Sequence, residues 1–215
     1  NGTPSGVTDP SDPKDAVALN NVLHALGFID QGNTIREKER LGTLKVSPIL
    51  MAMSEAMANM SNETLNHWIF DGRWNADAMI AGVTSEVLAP GWGDDPDQVP
   101  MNPDGSPNQH SPYHGWYTEE KAVYEYCRDV LGMKETEITQ TNVQNLPLDT
   151  MRQIVHEVFG YPKSQTDNMT QDSCRTFCQV GHYLTLVDPN ATVTGYGVHH
   201  RSDAFSAGGV DDGTS

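Results

Sequence analysis

Residues 183–198 read YLTLVDPNATVTGYGV and carry the clearest strand signal of the chain. Residues 183–187 and 192–198 are rich in β-branched and aromatic side chains, and the turn-forming residues 188–190 separate them. This pattern predicts an antiparallel β-hairpin. Helical periodicity dominates the earlier part of the chain, so the sequence predicts helices first and a hairpin late.

The N-terminal part of the chain shows the first helical pattern. Asp12 and Pro13 predict a helix start, and Gly27 is expected to end this helix. The residues expected on its buried face are Leu19, Val22, Leu23 and Leu26. Further helices are predicted around residues 35–41, 48–62, 118–131 and 148–159. The last of these is expected to end at Gly160 and to turn Met151, Ile154, Val155 and Val158 inward.

The chain of 215 residues is strongly acidic. It holds 13 Lys and Arg residues against 29 Asp and Glu residues, a formal net charge of −16. Such a charge repels the phosphate backbone of nucleic acids and anionic lipid headgroups, so no nucleic-acid partner is predicted. The longest apolar run, residues 49–53, is far shorter than the roughly 20 residues that span a bilayer. No transmembrane segment is predicted.

The composition changes near both ends of the chain. Residues 1–11 and 202–215 are rich in glycine, serine, threonine, proline and aspartate and hold almost no apolar side chains. This composition is typical of flexible segments or linkers. We therefore predict one folded domain over residues 12–201, with a flexible N-terminal segment and a flexible C-terminal tail or linker.

Two pairs of histidines are predicted to lie at the surface. His110 and His114 are four residues apart, but Pro112 between them disfavours a helix face that could chelate a metal. A surface loop is predicted there instead. His199 and His200 lie next to the C-terminal tail and are expected to be solvated.

Four short segments carry more specific information. They are residues 36–60, which begin REKERLGTLKVSP; residues 85–91, SEVLAPG; residues 115–119, GWYTE; and residues 181–187, GHYLTLV, with GYGV following at 195–198. In this order they resemble the CAP superfamily, which comprises cysteine-rich secretory proteins, antigen 5 and pathogenesis-related proteins. The chain is similar to SCP-like extracellular proteins of the bacterial type. It departs from the family pattern at Ser85, at Val87 and at Leu184-Thr185, and by an insertion between residues 126 and 181.

The resemblance implies the α+β fold of that family, a three-layer α-β-α sandwich with a mainly antiparallel central sheet, and helices early and a hairpin late agree with it. It also implies a cleft with two histidines and two glutamates, which correspond here to His67, Glu86, Glu119 and His182. Two imidazole nitrogens suit a divalent transition ion, zinc above all, and the two carboxylates would complete or support such a site. A buried His/Glu network that only holds the helices against the sheet is the alternative.

The function implied by the resemblance is that of a secreted or cell-surface binding module, with a lipid, a sterol or a cell-surface protein as its partner. The alternative is a metal-assisted hydrolase, in which Glu86 or Glu119 is the general base for a water held by His67 and His182. A third possibility is an adhesion or structural module with a vestigial cleft. The sequence also contains five N-glycosylation sequons, at Asn1, Asn59, Asn62, Asn168 and Asn190. A eukaryotic source that glycosylates its secreted proteins is therefore an open alternative.

The three cysteines of the chain are Cys127, Cys174 and Cys178. Cys174 and Cys178 are close enough in sequence to close a small loop, and in an oxidising compartment we expect them to pair. Cys127 would then be a buried free thiol on its helix face. A bridge from Cys127 to one of the other two is the alternative.

Overall fold

The structure is a computed structural model, and it describes residues 8–61, 85, 87–88, 102, 104–109 and 111–199. Its α-helices are α1 (Leu19–Lys38), α2 (Pro48–Ser61), α3 (Glu120–Asp129), α4 (Gln140–Gln144), α5 (Leu148–Phe159), α6 (Lys163–Thr166), α7 (Gln171–Arg175) and α8 (Gly181–Leu186). A π-helix, His114–Glu119, leads directly into α3, and a 3-10 turn, Glu135–Glu137, precedes α4. The strands are β1 (Lys45–Val46) and β2 (Val193–Thr194).

The predicted fold class is wrong. The described part of the chain is mostly helical, and its sheet consists of β1 and β2, which pair in parallel with Lys45 opposite Val193. The described residues therefore do not form a three-layer sandwich with a mainly antiparallel sheet. They divide into two compact units, one with the residues up to 112 and from 187 onward, and one with residues 113–186.

The predicted hairpin is wrong as well, because its first half is the helix α8. The N–H groups of Val180 and Gly181 both donate to Gln140 Oε1 at 2.8 Å, and Tyr183 N–H donates to Glu120 Oε2 at 3.0 Å. These oxygens satisfy N–H groups that the first turn of a helix leaves without an intrahelical partner. Tertiary hydrogen bonds thus override the strand preference of the side chains in this segment.

In the first unit, α1 is one continuous helix where the sequence predicted a stop and a second start. Its buried residues are Asn21, Ala25, Phe28, Ile29, Gln31, Gly32, Ile35 and Arg36. A glycine inside a helix costs only about 1 kcal/mol relative to alanine, so Gly27 does not end the helix once packing supports it. Leu19 and Leu23, which were expected in the core, are 72% and 58% exposed.

The buried side chain of Arg36 fixes the segments that follow α1. Its guanidinium donates to the backbone oxygens of Gly42, Asp188 and Ala191 at 2.8, 3.0 and 3.3 Å. Arg40, at φ 60°, closes the helix, and Leu41 N–H donates to Arg36 O at 2.8 Å, which is the hydrogen-bond pattern of a Schellman motif. The loop before β1 and the loop before β2 are therefore held by one cation.

Helix α2 lies against the chain that follows β2. The predicted helix over residues 48–62 is confirmed as α2, and Met53 and Met57 on it are buried. A Cβ on Gly195 would lie 2.1 Å from Leu50 C, and a Cβ on Gly197 would lie 2.4 Å from Ser54 O. The alternation of glycine at these two positions therefore lets a strand-like segment contact the backbone of α2.

The second unit has a core built mainly from α3 and α5. The predicted helix over residues 148–159 is confirmed as α5, and Gly160 follows it in the left-handed conformation with φ 73°. The buried core residues are Val123, Tyr126, Cys127, Ile138, Val143, Met151, Ile154, Val155, Cys174, Cys178 and Val180. Val158, expected to face inward, is only partly buried at the edge of this core.

All three cysteines are free thiols buried in this core. The predicted Cys174–Cys178 bond is therefore wrong for this structure, whereas Cys127 is the buried thiol that was expected. Cys178 N–H donates to Cys174 O at 2.9 Å, so the two residues lie on one helical turn. Burial raises the pKa of Cys127 to about 11, and burial with the neighbouring cysteines raises that of Cys178 to about 12. Such thiols are poor nucleophiles.

The predicted domain boundaries stay a prediction. Residues 1–7 and 200–215 lie outside the described residues, as do His67, Glu86 and His110. Within the described ranges, no helix combines the length and the apolar character that a bilayer crossing requires.

Substitution of the two glycines tests the contact with α2. We expect Gly195→Ala and Gly197→Ala each to lower the free energy of unfolding by about 3 kcal/mol or more, because the added Cβ meets backbone atoms that have to shift. Gly27→Ala is the control, since nothing lies within 4 Å of a Cβ there and alanine favours a helix by about 0.5–1 kcal/mol. Urea unfolding measures all three. Equal effects at the three positions would contradict the close approach.

Candidate functional site: a glutamate-oriented histidine

The site is formed where the π-helix meets α3. Glu120 N–H donates to Gly115 O, five residues earlier, which is the hydrogen-bond spacing of a π-turn. This spacing places His114 and Glu119 one turn apart, and His114 Nε2 lies 3.8 Å from Glu119 Oε1. The next residue, Glu120, begins α3 with its side chain turned into the interior of the unit, where it is only 5% exposed.

Glu120 binds the first turn of α8 through both of its carboxylate oxygens. Oε1 lies 2.5 Å from His182 Nδ1, and Oε2 accepts the N–H of Tyr183 at 3.0 Å. A carboxylate accepts hydrogen bonds, so it places the imidazole proton on Nδ1 and leaves a lone pair on Nε2 of the neutral ring. The pair therefore fixes both the tautomer and the orientation of His182.

Aromatic rings form one wall of the site. The ring of Trp116 stacks on the imidazole of His182, with centroids 5.8 Å apart and planes at 29°. Tyr113 meets Trp116 edge to face at 5.5 Å, and both rings are 4% exposed. Burial raises the pKa of Tyr113 above its ordinary value. This wall limits the approach of water to one face of His182.

The side chain of His182 is partly exposed. A quarter of its side-chain surface, 25%, is exposed. Among the described residues, Nε2 has no hydrogen-bond partner, while Nδ1 is bound to Glu120. A partly exposed ring whose Nδ1 is held by a carboxylate keeps an oriented lone pair on Nε2, which is what a metal ligand or a general base requires.

The predicted residues occupy different positions with respect to this site. His182 lies at its centre. Glu119 and His182 are both described, and no hydrogen bond or ion pair joins them; Glu119 is instead the partner of His114 and is 49% exposed. His67 and Glu86 lie outside the described residues, so the tetrad of His67, Glu86, Glu119 and His182 stays a prediction.

The structure adds residues that the sequence pattern did not identify. Glu120 follows Glu119 directly, and only the fold shows which of the two carboxylates turns toward His182. His114, predicted in a surface loop, belongs to the π-helix, and its Nδ1 is a buried atom without a hydrogen-bond partner among the described residues. The available signal was the pair of adjacent glutamates, Glu119 and Glu120, which follows the aromatic residues of the motif. This signal does not show which of the two carboxylates turns toward His182.

At this site, the described residues offer one nitrogen atom that could ligate a metal, on the imidazole of His182. Within the described ranges, no group of three or more His, Cys, Asp or Glu side chains is arranged to hold a metal ion. His182 offers one imidazole nitrogen, which fits zinc or another transition ion at a single coordination position. His67 and Glu86, the further ligands that the sequence predicted, lie outside the described residues.

The roles of the adjacent glutamates can be separated by their effect on stability. We expect Glu120→Ala to lower the free energy of unfolding by about 2–4 kcal/mol, because it leaves the N–H of Tyr183 and Nδ1 of His182 without an acceptor in a buried position. Glu119→Ala should change it by no more than about 0.5 kcal/mol, since its side chain is half exposed. Urea unfolding measures both variants, and the opposite ranking would contradict the assignment.

Comparisons with protein-family models, with curated proteins and with solved structures find no match for this chain. The assignment of a function therefore depends on the chemistry of the site itself.

Proposed function

We propose that this chain is a binding module of the cell surface or the extracellular space, and that His182 is the ligand through which it binds a divalent transition ion. The observation that carries the proposal is the 2.5 Å contact between Glu120 Oε1 and His182 Nδ1. Histidines that bind metals commonly donate their second ring N–H to a carboxylate, which orients the ring and strengthens the nitrogen as a ligand.

The two other predicted ligands, His67 and Glu86, lie outside the described residues and stay a prediction. Zinc, when bound, would supply a Lewis-acidic centre for an oxygen or nitrogen atom of the partner molecule. Glu120 would then act as a positioning residue, because it contacts the imidazole and not the ion. Glu119 has the smaller role in this arrangement, since it is paired with His114.

The surroundings of His182 support a binding role with an amphipathic partner. The rings of Tyr117 and Tyr124 are half-buried and both pack on Tyr183, at 6.1 and 5.1 Å between centroids. Tyrosine offers an apolar face and a polar tip, which suits lipid, sterol or protein surfaces. The net charge of −16 argues against a nucleic-acid partner, because it repels the phosphate backbone. A strictly cytosolic location in fractionated source cells would contradict the extracellular part of the proposal.

Zinc titration calorimetry near neutral pH tests the role of His182. We expect His182→Ala to abolish the zinc site and Glu120→Gln to weaken zinc binding by about 10–100-fold, because the orienting carboxylate is lost. Glu119→Gln and His156→Ala are the matched controls and should bind like the wild type. His156 is exposed, and its Nδ1 lies 2.6 Å from Tyr161 O.

Two results would contradict the proposal. One is zinc binding by His182→Ala that is as tight as that of the wild type, which would assign binding to other histidines. The other is a larger loss for Glu119→Gln than for Glu120→Gln. Far-UV circular dichroism of each variant shows that the comparison is made between folded proteins.

The oriented lone pair on Nε2 also suits proton abstraction, and this favours a metal-assisted hydrolase as the second candidate. For a binding module we expect equal background rates for the wild type, Glu119→Gln and His182→Ala with ester, peptide and glycan substrates. Turnover that is present in the wild type and lost in His182→Ala would establish the hydrolase instead. Loss in Glu119→Gln alone would identify Glu119 as the base.

A further inference from the structure

The loop between α8 and β2 contains the N-glycosylation sequon of residues 190–192, and its backbone is held in one shape. Ala191 N–H donates to Asp188 O at 3.3 Å, which closes a β-turn over residues 188–191 with a proline at its second position. The guanidinium of Arg36 binds both ends of this turn, through Asp188 O and Ala191 O. The turn is therefore anchored to α1 by a buried cation.

Asn190 is an exposed residue of this turn. Asp188 Oδ1 accepts the backbone N–H of Asn190 at 2.8 Å and its Nδ2 at 3.1 Å. The amide nitrogen Nδ2 has two hydrogens, and the bond to Asp188 uses one of them. A sugar on Nδ2 would replace the other hydrogen, so a glycosylated chain keeps the hydrogen bonds of the turn.

The hydroxyl residue of the same sequon is accessible as well. Thr192 is exposed, and no hydrogen bond to another described residue engages its hydroxyl, whereas its backbone oxygen accepts Lys45 N–H at 3.0 Å. A sequon is defined by the asparagine amide together with the hydroxyl two residues later. Here both groups are exposed, while other atoms fix the backbone of the loop.

The sequon at Asn59 is different, because its amide has a structural role. Asn59 Nδ2 donates to Asp15 Oδ1 at 2.7 Å, and Asn59 Oδ1 accepts the N–H of Ala16 and lies 2.9 Å from His199 Nδ1. Asp15 is 7% exposed, and His199, which the sequence predicted to be solvated, is 9% exposed. A glycan on Asn59 would disturb these buried contacts.

The sequon at Asn168 is exposed, but both of its polar groups have local partners. Asn168 Nδ2 donates to a backbone oxygen of α6 at 2.8 Å. The hydroxyl of Thr170 accepts Ser173 N–H at 3.2 Å and caps α7. The remaining sequons, at Asn1 and Asn62, lie outside the described residues.

We propose that Asn190 is the attachment site of an N-linked glycan. The donor is an oligosaccharide linked to a membrane lipid through a diphosphate, and the acceptor atom is Asn190 Nδ2. The bond from Nδ2 to the first sugar carbon forms as the bond from that carbon to the diphosphate breaks. The lipid diphosphate leaves, one amide proton passes to a base of the transferase, and nothing is oxidised or reduced. The proposal rests on the extracellular part of the proposed function, because this transfer occurs on chains that enter a secretory pathway.

Secretion of the full chain by a mammalian cell line, behind a signal peptide of the host, tests the site. The secreted protein is treated with peptide N-glycosidase in water enriched in heavy oxygen, which converts each glycosylated asparagine into a labelled aspartate. Mass spectrometry of its peptides then reads every sequon separately. We expect the label at Asn190 in most chains, less label at Asn168 and none at Asn59.

Two variants of Thr192 form a matched pair. Both keep Asn190 and the backbone oxygen that accepts Lys45 N–H. Thr192→Ala removes the hydroxyl of the sequon and should abolish the label at Asn190, whereas Thr192→Ser keeps the hydroxyl and should retain the label. Asn190→Gln removes the acceptor itself and serves if Thr192→Ala is not secreted. Far-UV circular dichroism shows that the variants are folded.

Three outcomes would overturn the site. One is an unmodified Asn190 in chains that are secreted and folded. Another is a label at Asn190 that persists in Thr192→Ala. The third is more label at Asn59 or Asn168 than at Asn190. Zinc titration of the protein depends on His182 and needs no glycan, so a failure here is distinguishable from a failure of the proposed metal site.

Discussion

The carboxylate of Glu120 is the contact on which the second unit depends most. It receives the first turn of α8 through Tyr183 N–H and orients His182 through Nδ1. A buried carboxylate is costly unless its oxygens are hydrogen-bonded, and here both oxygens have partners from the same turn. One side chain therefore both helps Gln140 to cap residues 181–186 as a helix and orients the histidine. Structure and candidate function cannot be altered separately at this position.

Local sequence patterns predicted the helices α2 and α5. Pro48 marks the start of α2, because its ring fixes a φ that suits the first turn of a helix. Gly160 marks the end of α5, because glycine adopts the left-handed conformation, φ 73°, without a steric cost. The hairpin prediction was wrong because Gln140 and Glu120, distant in sequence, cap a segment with strand-forming side chains. Of the site, His182 was identified in advance, but its partner Glu120 was not, since the orientation of adjacent glutamates depends on tertiary contacts.

Acidic residues are buried in this acidic chain in three physically distinct ways. Glu120 is matched by an imidazole and a backbone N–H. Asp15 is matched by an amide and by backbone N–H groups. Glu55 carries the strongest effect of burial on its pKa and is neutral over a wider pH range than an exposed glutamate. In each of these three places of the described chain, a proton or a hydrogen-bond donor balances the carboxyl group.

The π-helix His114–Glu119 has a consequence for how chains of this kind can diverge. A π-turn contains one residue more than an α-turn, and such turns can arise from a single inserted residue. A related chain that lacks one residue between His114 and Glu119 could close the same turn as an α-helix. Its counterpart of Glu120 would stay in phase with the rest of α3. Evolution can therefore change the length of this turn by one codon without moving the carboxylate that holds His182.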